Sequence, residues 1–182
     1  MNRYFAFLRA INVGGHVVKM DRLRQIFESL GFSGVETFIA SGNVIFETKS
    51  GNVRSLERKI ENALMEALGY EVATFIRTGD ELVEIARYQA FTQTDLADAQ
   101  SLNIMFLGET MDDQSKERTV ALKTDIDILH VHGREVYWLC RKRQSDSSIS
   151  NAAFRRALGG IPSTVRGLNT VRKMAAKYCS EQ

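Results

Sequence analysis

Hydrophobic positions follow a fixed order along this chain, and the order comes round twice. Tyr4 to Leu8 is a short unbroken apolar run between Arg3 and Arg9, which predicts a buried strand. Leu23, Ile26, Phe27 and Leu30 then fall at i, i+3, i+4 and i+7 on one helix face, with Gly31 where a terminating glycine belongs. Val35, Thr37 and Ile39 alternate, Ser41-Gly42-Asn43 supplies turn residues that tolerate positive φ, and Val44 to Glu47 resumes an extended run, so a hairpin is predicted. Asn52 is placed to cap a second helix with Val53, Leu56, Ile60 and Leu64 on its apolar face. Gly69 closes that helix before a strand from Val72 to Ile76. The first half reads βαββαβ.

Thr78 to Ser101 reads as a connection, with a short helix from about Glu81 to Tyr88 and then a polar stretch, Thr92 to Gln100, without strong periodicity. Beyond it the pattern restarts. Leu102 to Leu107 predicts a strand, Asp112 or Asp113 caps a helix to about Leu122, and Ile126–Val131 with Glu135–Cys140 predict a hairpin turning at His132-Gly133. A helix from Ser150 to Leu158, a very short strand from Thr164 to Arg166 and a final helix striped by Leu168, Val171, Ala175 and Tyr178 complete it. The repeat is one of element order, without obvious residue identity between the halves. It implies an α/β fold of the α+β kind: two fused ferredoxin-like βαββαβ units with antiparallel sheets, plus a C-terminal helix. The expected boundaries are 1–78, a connection over 79–101, and 102–182.

Composition narrows the class. With 44% hydrophobic and 25% charged residues among 182, the chain is expected to bury a core, which excludes disorder as the main reading. Its N-terminal apolar run is far too short for a signal sequence or a membrane span, so a cytoplasmic protein with no membrane partner is expected. Cys140 and Cys179 form neither a disulfide framework nor a metal-spaced pair and read as buried thiols. The net charge of +2 hides an asymmetry: residues 1–133 carry 14 basic and 19 acidic side chains, residues 134–182 carry 10 and 3. An anion is therefore expected towards the end of the chain, although a basic stretch is also simply a solvated surface.

The topology says where polar residues meet. In such a unit the first and second strands run the same way, so the loop after strand one and the hairpin between strands two and three emerge at one end. That end of the first unit gathers Arg9, Asn12, Gly14, Gly15 and His16 with Ser41, Gly42 and Asn43. The glycines would let a ligand approach backbone N–H groups, and Arg9 offers a fork of donors. Turn geometry explains the same residues without any ligand. In the second unit, Arg141, Lys142 and Arg143 are expected near Arg166, Asn169 and the start of the last helix, an anion site or a solvated basic loop.

Other chemistry is set aside. His130 and His132 share a strand face but lack a third ligand, so no metal site is expected. Gly14-Gly15 has neither P-loop nor dinucleotide spacing, and no nucleotide or other cofactor is implied. No Gly-x-Ser-x-Gly is present, and the acidic residues fall mostly on polar helix faces. Asp125 and Asp127 read as solubilising residues of an edge strand. Tyr4, Phe5 and Phe7 invite comparison with RNA-recognition sheets, but Val44-Ile45-Phe46-Glu47 lacks the expected basic aromatic signature.

Three stretches, Leu8-Arg9-Ala10-Ile11-Asn12-Val13-Gly14-Gly15, Phe38-Ile39-Ala40-Ser41-Gly42-Asn43-Val44-Ile45-Phe46 and Thr164-Val165-Arg166-Gly167-Leu168-Asn169-Thr170-Val171, resemble the bacterial family of unknown function 1697 over nearly the whole chain. The resemblance implies an α/β fold of ferredoxin-like units and no established activity. Its motif residues here are Arg9, Asn12, Gly14, Gly15, Ser41, Gly42, Asn43, Arg166, Asn169 and Thr170. Ala10 stands where the motif usually has glycine, and Gly167-Leu168 replaces an Asn-Trp pair. Ser145 to Ser150 matches only loosely a segment that usually carries Ser-Lys.

The function expected first is a cytoplasmic protein that binds a small phosphorylated or carboxylated ligand between its two units through Arg9, Asn12, Asn43, Arg166 and Asn169. An enzyme acting on a phosphorylated metabolite, with His16 as its titrating group, is the second reading. A nucleic-acid binder working through residues 134–177 is the third.

Overall fold

The computed structural model describes residues 1–12, 14–39 and 42–179. Two compact units divide the chain: Met1–Val83 together with the segment that starts at Met174, and Glu84–Lys173. In the first, β1 (Asn2–Leu8), α1 (Met20–Ser29), β2 (Ser33–Thr37), β3 (Asn43–Thr48), α2 (Val53–Leu68) and β4 (Thr74–Thr78) form an antiparallel sheet of order β2-β3-β1-β4. Next come α3 (Gly79–Arg87), α4 (Gln93–Ala97), β5 (Ser101–Leu107), α5 (Asp113–Val120), β6 (Asp127–His132), β7 (Glu135–Cys140), α6 (Asn151–Ala157), β8 (Ser163–Gly167) and α7 (Leu168–Tyr178). Their sheet has the order β6-β7-β5-β8, again antiparallel, so the chain holds two ferredoxin-like units. The helix α3 begins in the first unit and ends in the second, and α7 does the reverse.

The central strands are buried on both faces. Tyr4, Ala6 and Leu8 of β1 join Phe27, Phe46, Ile60 and Leu64 in a core beneath α1 and α2. On the opposite face Phe5, Phe7, Ile45 and Phe75 are at most 1% exposed, and Tyr178 of α7 meets Phe5 edge-on at 6.1 Å. Trp138, Met105, Leu129 and Val136 pack in the same way against Phe154 and Leu158 in the second unit.

Two elements begin or occur where periodicity did not place them. The strand β4 starts two residues later than Val72, whose side chain is buried ahead of the strand. The polar stretch after Thr92 contains α4, held by a reciprocal capping box between Thr92 and Asp95 rather than by an apolar face. Cys140 is buried as expected, whereas Cys179 is half-buried.

Carboxylates expected on solvated surfaces are used inside. Asp127 is fully buried and accepts from Trp138 Nε1 (2.8 Å), Thr124 Oγ1 (2.7 Å) and Ser147 Oγ (3.0 Å), which pins the serine-rich loop to the sheet. Solubility therefore does not explain it. The outward N–H groups of the edge strand β4 have no neighbouring strand in this sheet, yet each finds a glutamate. Thr74 N donates to Glu61 (2.9 Å), Ile76 N to Glu57 (3.0 Å) and Thr78 N to Glu81 (2.8 Å). Glu57 and Glu61 lie one turn apart on α2, so the helix closes a sheet edge with carboxylates, satisfying buried donors and removing a template for further pairing.

Removing one of these acceptors strands a buried donor. Glu57→Ala is expected to lower stability by about 2–4 kcal/mol in urea denaturation and to speed hydrogen exchange at the Ile76 amide, with Glu57→Gln recovering part of the loss.

The second unit holds a titratable cluster at the end of β6. The Tyr88 hydroxyl lies 2.9 Å from His130 Nε2, and the Tyr88 ring stacks on His132 at 4.0 Å. Burial first, and the neighbouring His132 second, hold His130 below its ordinary pKa of 6.5. Below about pH 6.5 the unfolded chain takes up a proton that the folded chain resists, so stability is full at neutral pH and falls as pH drops through this window. Thermal melts at about pH 7.5 and 5.5 should show the loss, and His130→Gln should reduce it.

Candidate functional site

The pairing of β1 with β3 runs from Asn2↔Thr48 to Phe7↔Asn43, so β1 ends where β3 begins. Leu8 N donates to Gly42 O at 2.9 Å, and the loop after β1 meets the β2–β3 hairpin at one end of the first unit. Gly42 is required there twice over. Its φ is +76°, and a Cβ would stand 2.9 Å from Ile11 Cγ2 and 3.2 Å from Leu8 Cβ. Asn43 is buried; its Nδ2 donates to Phe38 O (3.0 Å), and Phe38 N returns to Asn43 O (2.9 Å). Ser41 lies outside the described residues.

The loop after β1 is shaped by left-handed residues: Ala10 at φ +54°, then Gly14 at +70° and Gly15 at +85°. A left-handed backbone at position 10 is a physical reason for glycine there, and alanine carries strain in its place. The Asn12 side chain accepts from Val18 N at 2.8 Å and closes the loop on itself. His16, the titrating group of the enzyme reading, is stacked on Tyr70 with ring centroids 4.1 Å apart. Tyr70 in turn donates from its hydroxyl to Ile11 O at 2.9 Å, and burial pushes its phenol pKa up. In the hairpin, Ile39 stands at φ +61° and is half exposed, a strained conformation for a β-branched residue.

Arg9 is placed differently from the other motif residues. Its backbone N–H bonds Ala73 O at 2.9 Å, tying β1 to the entry of β4. Its exposed side chain lines an open hollow of about 560 Å³. Glu61, Asn62 and Met65 of α2 form one wall of this hollow, and Glu71, Val72 and Ala73 form another. Arg9 makes no ion pair with a described residue.

The second group of motif residues belongs to the second unit. Arg166 lies in β8 opposite Ile104 and is only 9% exposed, with Nη1 donating to Thr164 Oγ1 (2.9 Å) and Val165 O (2.8 Å). Burial lowers its pKa to about 10, so it stays cationic at neutral pH. Asn169 is exposed and Thr170 half-buried in the first turn of α7. Of the basic residues after β7, Arg141 pairs with Asp95 (3.6 Å) and Arg143 with Asp146 (3.4 Å).

A residue passed over in the sequence explains Arg166. Arg77 of β4 is 1% exposed, pairs with Phe5, the fourth residue of β1, and donates from Nη1 to the preceding carbonyl, Ile76 O, at 2.9 Å. Arg166 pairs with Ile104, the fourth residue of β5, and donates to its own preceding carbonyl. The two units thus repeat a buried arginine in the same register, an identity that becomes visible only once the strands are aligned by pairing. Glu61, Asn62, Met65 and Glu71 were also missed; the available signal was that Glu57 and Glu61 sit beside the apolar stripe of α2 at a spacing of four.

Comparison with known proteins adds the family. The profile described as "Protein of unknown function (DUF1697)" matches residues 1–137, three quarters of the chain. The chain belongs to the DUF1697 family. The matched segment holds Arg9, Asn12, Gly14, Gly15, Gly42 and Asn43, whereas Arg166, Asn169 and Thr170 lie beyond its end. Among solved structures, the chain is similar to the conserved bacterial protein SP0830 from Streptococcus pneumoniae, with 22% identity, 99% of each chain covered and a TM-score of 0.76. That likeness concerns the fold. No curated protein matches the chain. Among the described residues no helix is long and apolar enough to cross a membrane, and no group of three or more acidic, histidine or cysteine side chains is arranged to hold a metal.

Two of the left-handed positions at this end, Ala10 and Gly42, give opposite expectations for this DUF1697 protein. Ala10→Gly should raise stability by about 0.5–1 kcal/mol by relieving strain, whereas Gly42→Ala should lower it by about 2–4 kcal/mol through strain and overpacking. Urea denaturation midpoints of the two variants would check both signs.

Proposed function

We propose that the protein is a cytoplasmic binding protein for a small carboxylate- or phosphate-bearing ligand, taken up by the first unit with Arg9 as its anion-holding residue. The observation that carries this reading is the exposed Arg9 guanidinium, without an ion-pair partner among the described residues, at the edge of a hollow of about 560 Å³. A guanidinium offers several N–H donors in a fixed plane and matches a carboxylate or phosphate with two parallel hydrogen bonds. Three motif residues of the first unit shape the two loops at this end: Gly42 packs closely on Leu8 and Ile11, Asn43 clamps Phe38, and Asn12 accepts from Val18 N in the loop after Arg9. Asn43 and Arg166 are buried and Asn12 is engaged, so none of the three is put forward as a direct contact to the ligand.

A second reading, docking of a protein partner, is favoured by a separate observation. Val17 (85% exposed), Met20 and Ile39 are large apolar residues left in solvent on or beside the two loops of this end. Nucleic-acid binding ranks lower, because Arg141 and Arg143 are paired locally and Arg166 is withdrawn from solvent.

Titration of acetate and inorganic phosphate, followed by amide chemical shifts, separates these readings. Saturable shifts at Arg9 and Ala73 that weaken roughly tenfold or more in Arg9→Ala are expected, the loss of a charge-assisted bidentate contact. Equal binding by the variant would overturn the proposal.

A further inference from the structure

The hollow beside Arg9 carries a second charge of opposite sign. Glu71 is exposed on its wall, and neither residue forms an ion pair with the other or with any described residue. Their backbones are fixed. Arg9 N is bonded to Ala73 O, and the next residue, Thr74, is held through its N–H by Glu61, so the segment carrying Glu71 is fastened to both β1 and α2. An unpaired cation and an unpaired anion thus face one open volume from anchored positions.

Between them stand groups of another kind. Asn62 offers both a donor and an acceptor, and Met65, 47% exposed, lines the same hollow with an apolar thioether chain. Glu61 also lines it, with one carboxylate oxygen already committed to Thr74 N. Two carboxylates on the walls make a phosphate dianion a weaker ligand of this space than a zwitterion, since it would gain from Arg9 and lose to Glu61 and Glu71. A ligand with one negative and one positive group gains from both signs.

We infer that the hollow formed by Arg9, Asn62, Met65 and Glu71 is a site for a small zwitterion of the α-amino acid class, its carboxylate on Arg9, its ammonium on Glu71 and an aliphatic side chain against Met65. This deepens the proposed function and rests on it, since Arg9 holds the anionic end in both. A volume of about 560 Å³ holds a free amino acid with room to spare.

The test uses the whole protein, its Arg9→Ala and Glu71→Gln variants, and three probes: L-leucine, acetate and inorganic phosphate, with affinities from calorimetry or amide shifts. Both substituted residues are exposed, so the variants are expected to fold. L-Leucine is expected to bind the parent protein roughly five- to tenfold more tightly than acetate, and Glu71→Gln to erase that preference, weakening L-leucine while acetate, relieved of one wall carboxylate, binds no more weakly than before. Loss of all binding in Arg9→Ala completes the expected pattern. Acetate or phosphate binding that depends on Arg9, with no preference for L-leucine or none lost in Glu71→Gln, would overturn the zwitterion site and leave the anion reading standing. Binding of every probe that is unchanged in Arg9→Ala, or absent in the parent protein, would overturn both.

Discussion

The candidate site depends on how the sheet edge at β4 is closed. Strands at an edge leave every second N–H without a partner, and this protein fills those positions with Glu57 and Glu61 from α2 and with Glu81 from the first turn of α3. A carboxylate that accepts from a backbone N–H has a narrow range of distance and direction, so α2 is fixed in rotation and along the strand more tightly than apolar packing alone would hold it. The hollow lies beyond the C-terminal end of this contact, where α2 ends at Gly69 and the chain returns through Glu71 to Thr74. Its walls inherit their positions from the edge closure on one side and from the Arg9–Ala73 bond on the other.

The same end also concentrates backbone conformations that are costly for their residues. Ala10 and Ile39 are the only non-glycine residues at positive φ among those described, and they fall on the two loops that meet there. Strain of this kind persists only where surrounding bonds over-determine the backbone, and those bonds are visible: Leu8 to Gly42, Arg9 to Ala73, Tyr70 to Ile11 and Asn12 to Val18. These bonds fix the backbone of Leu8, Arg9, Ile11 and Asn12 without a ligand, which lowers the ordering cost of binding beside them.

Much of the architecture was legible because it rests on periodicity. The stripe Leu23, Ile26, Phe27 gave α1, Asn52 and Gly69 bounded α2, and the order of elements gave two ferredoxin-like units. Misread segments follow another logic. Strand β4 begins at Thr74 because pairing with β1, and not the buried Val72, sets its start, and α4 exists through the Thr92–Asp95 capping box without an apolar face. Within the site, the meeting of the two loops follows from topology alone, but topology does not tell which side chains stay free. Arg9 and Arg166 look alike as strand-end arginines, and only burial, set by what covers each strand, distinguishes an available guanidinium from one bonded to Thr164 and Val165. Glu57 and Asp127 failed for the same reason: a carboxylate in a sequence reads as surface, while a carboxylate with two or three donors around it belongs inside.

This division of labour bears on what a sequence motif records. Gly42, Asn43 and Asn12 carry the resemblance to the DUF1697 family, and each acts on backbone: a close approach to Leu8 and Ile11, a clamp on Phe38, a closure at Val18. Residues that act on backbone tolerate little change, because turn geometry admits few alternatives. Asn62, Met65 and Glu71 face open volume, and their side chains make no hydrogen bond or ion pair with a described residue that would fix their identity. A scaffold specified by the first set can therefore carry different chemistry in the second. Arg9 stands at the junction, its backbone part of the scaffold through Ala73 and its side chain lining the hollow, so under the proposed function it is the residue through which one fold could serve ligands that differ everywhere except in their anionic group.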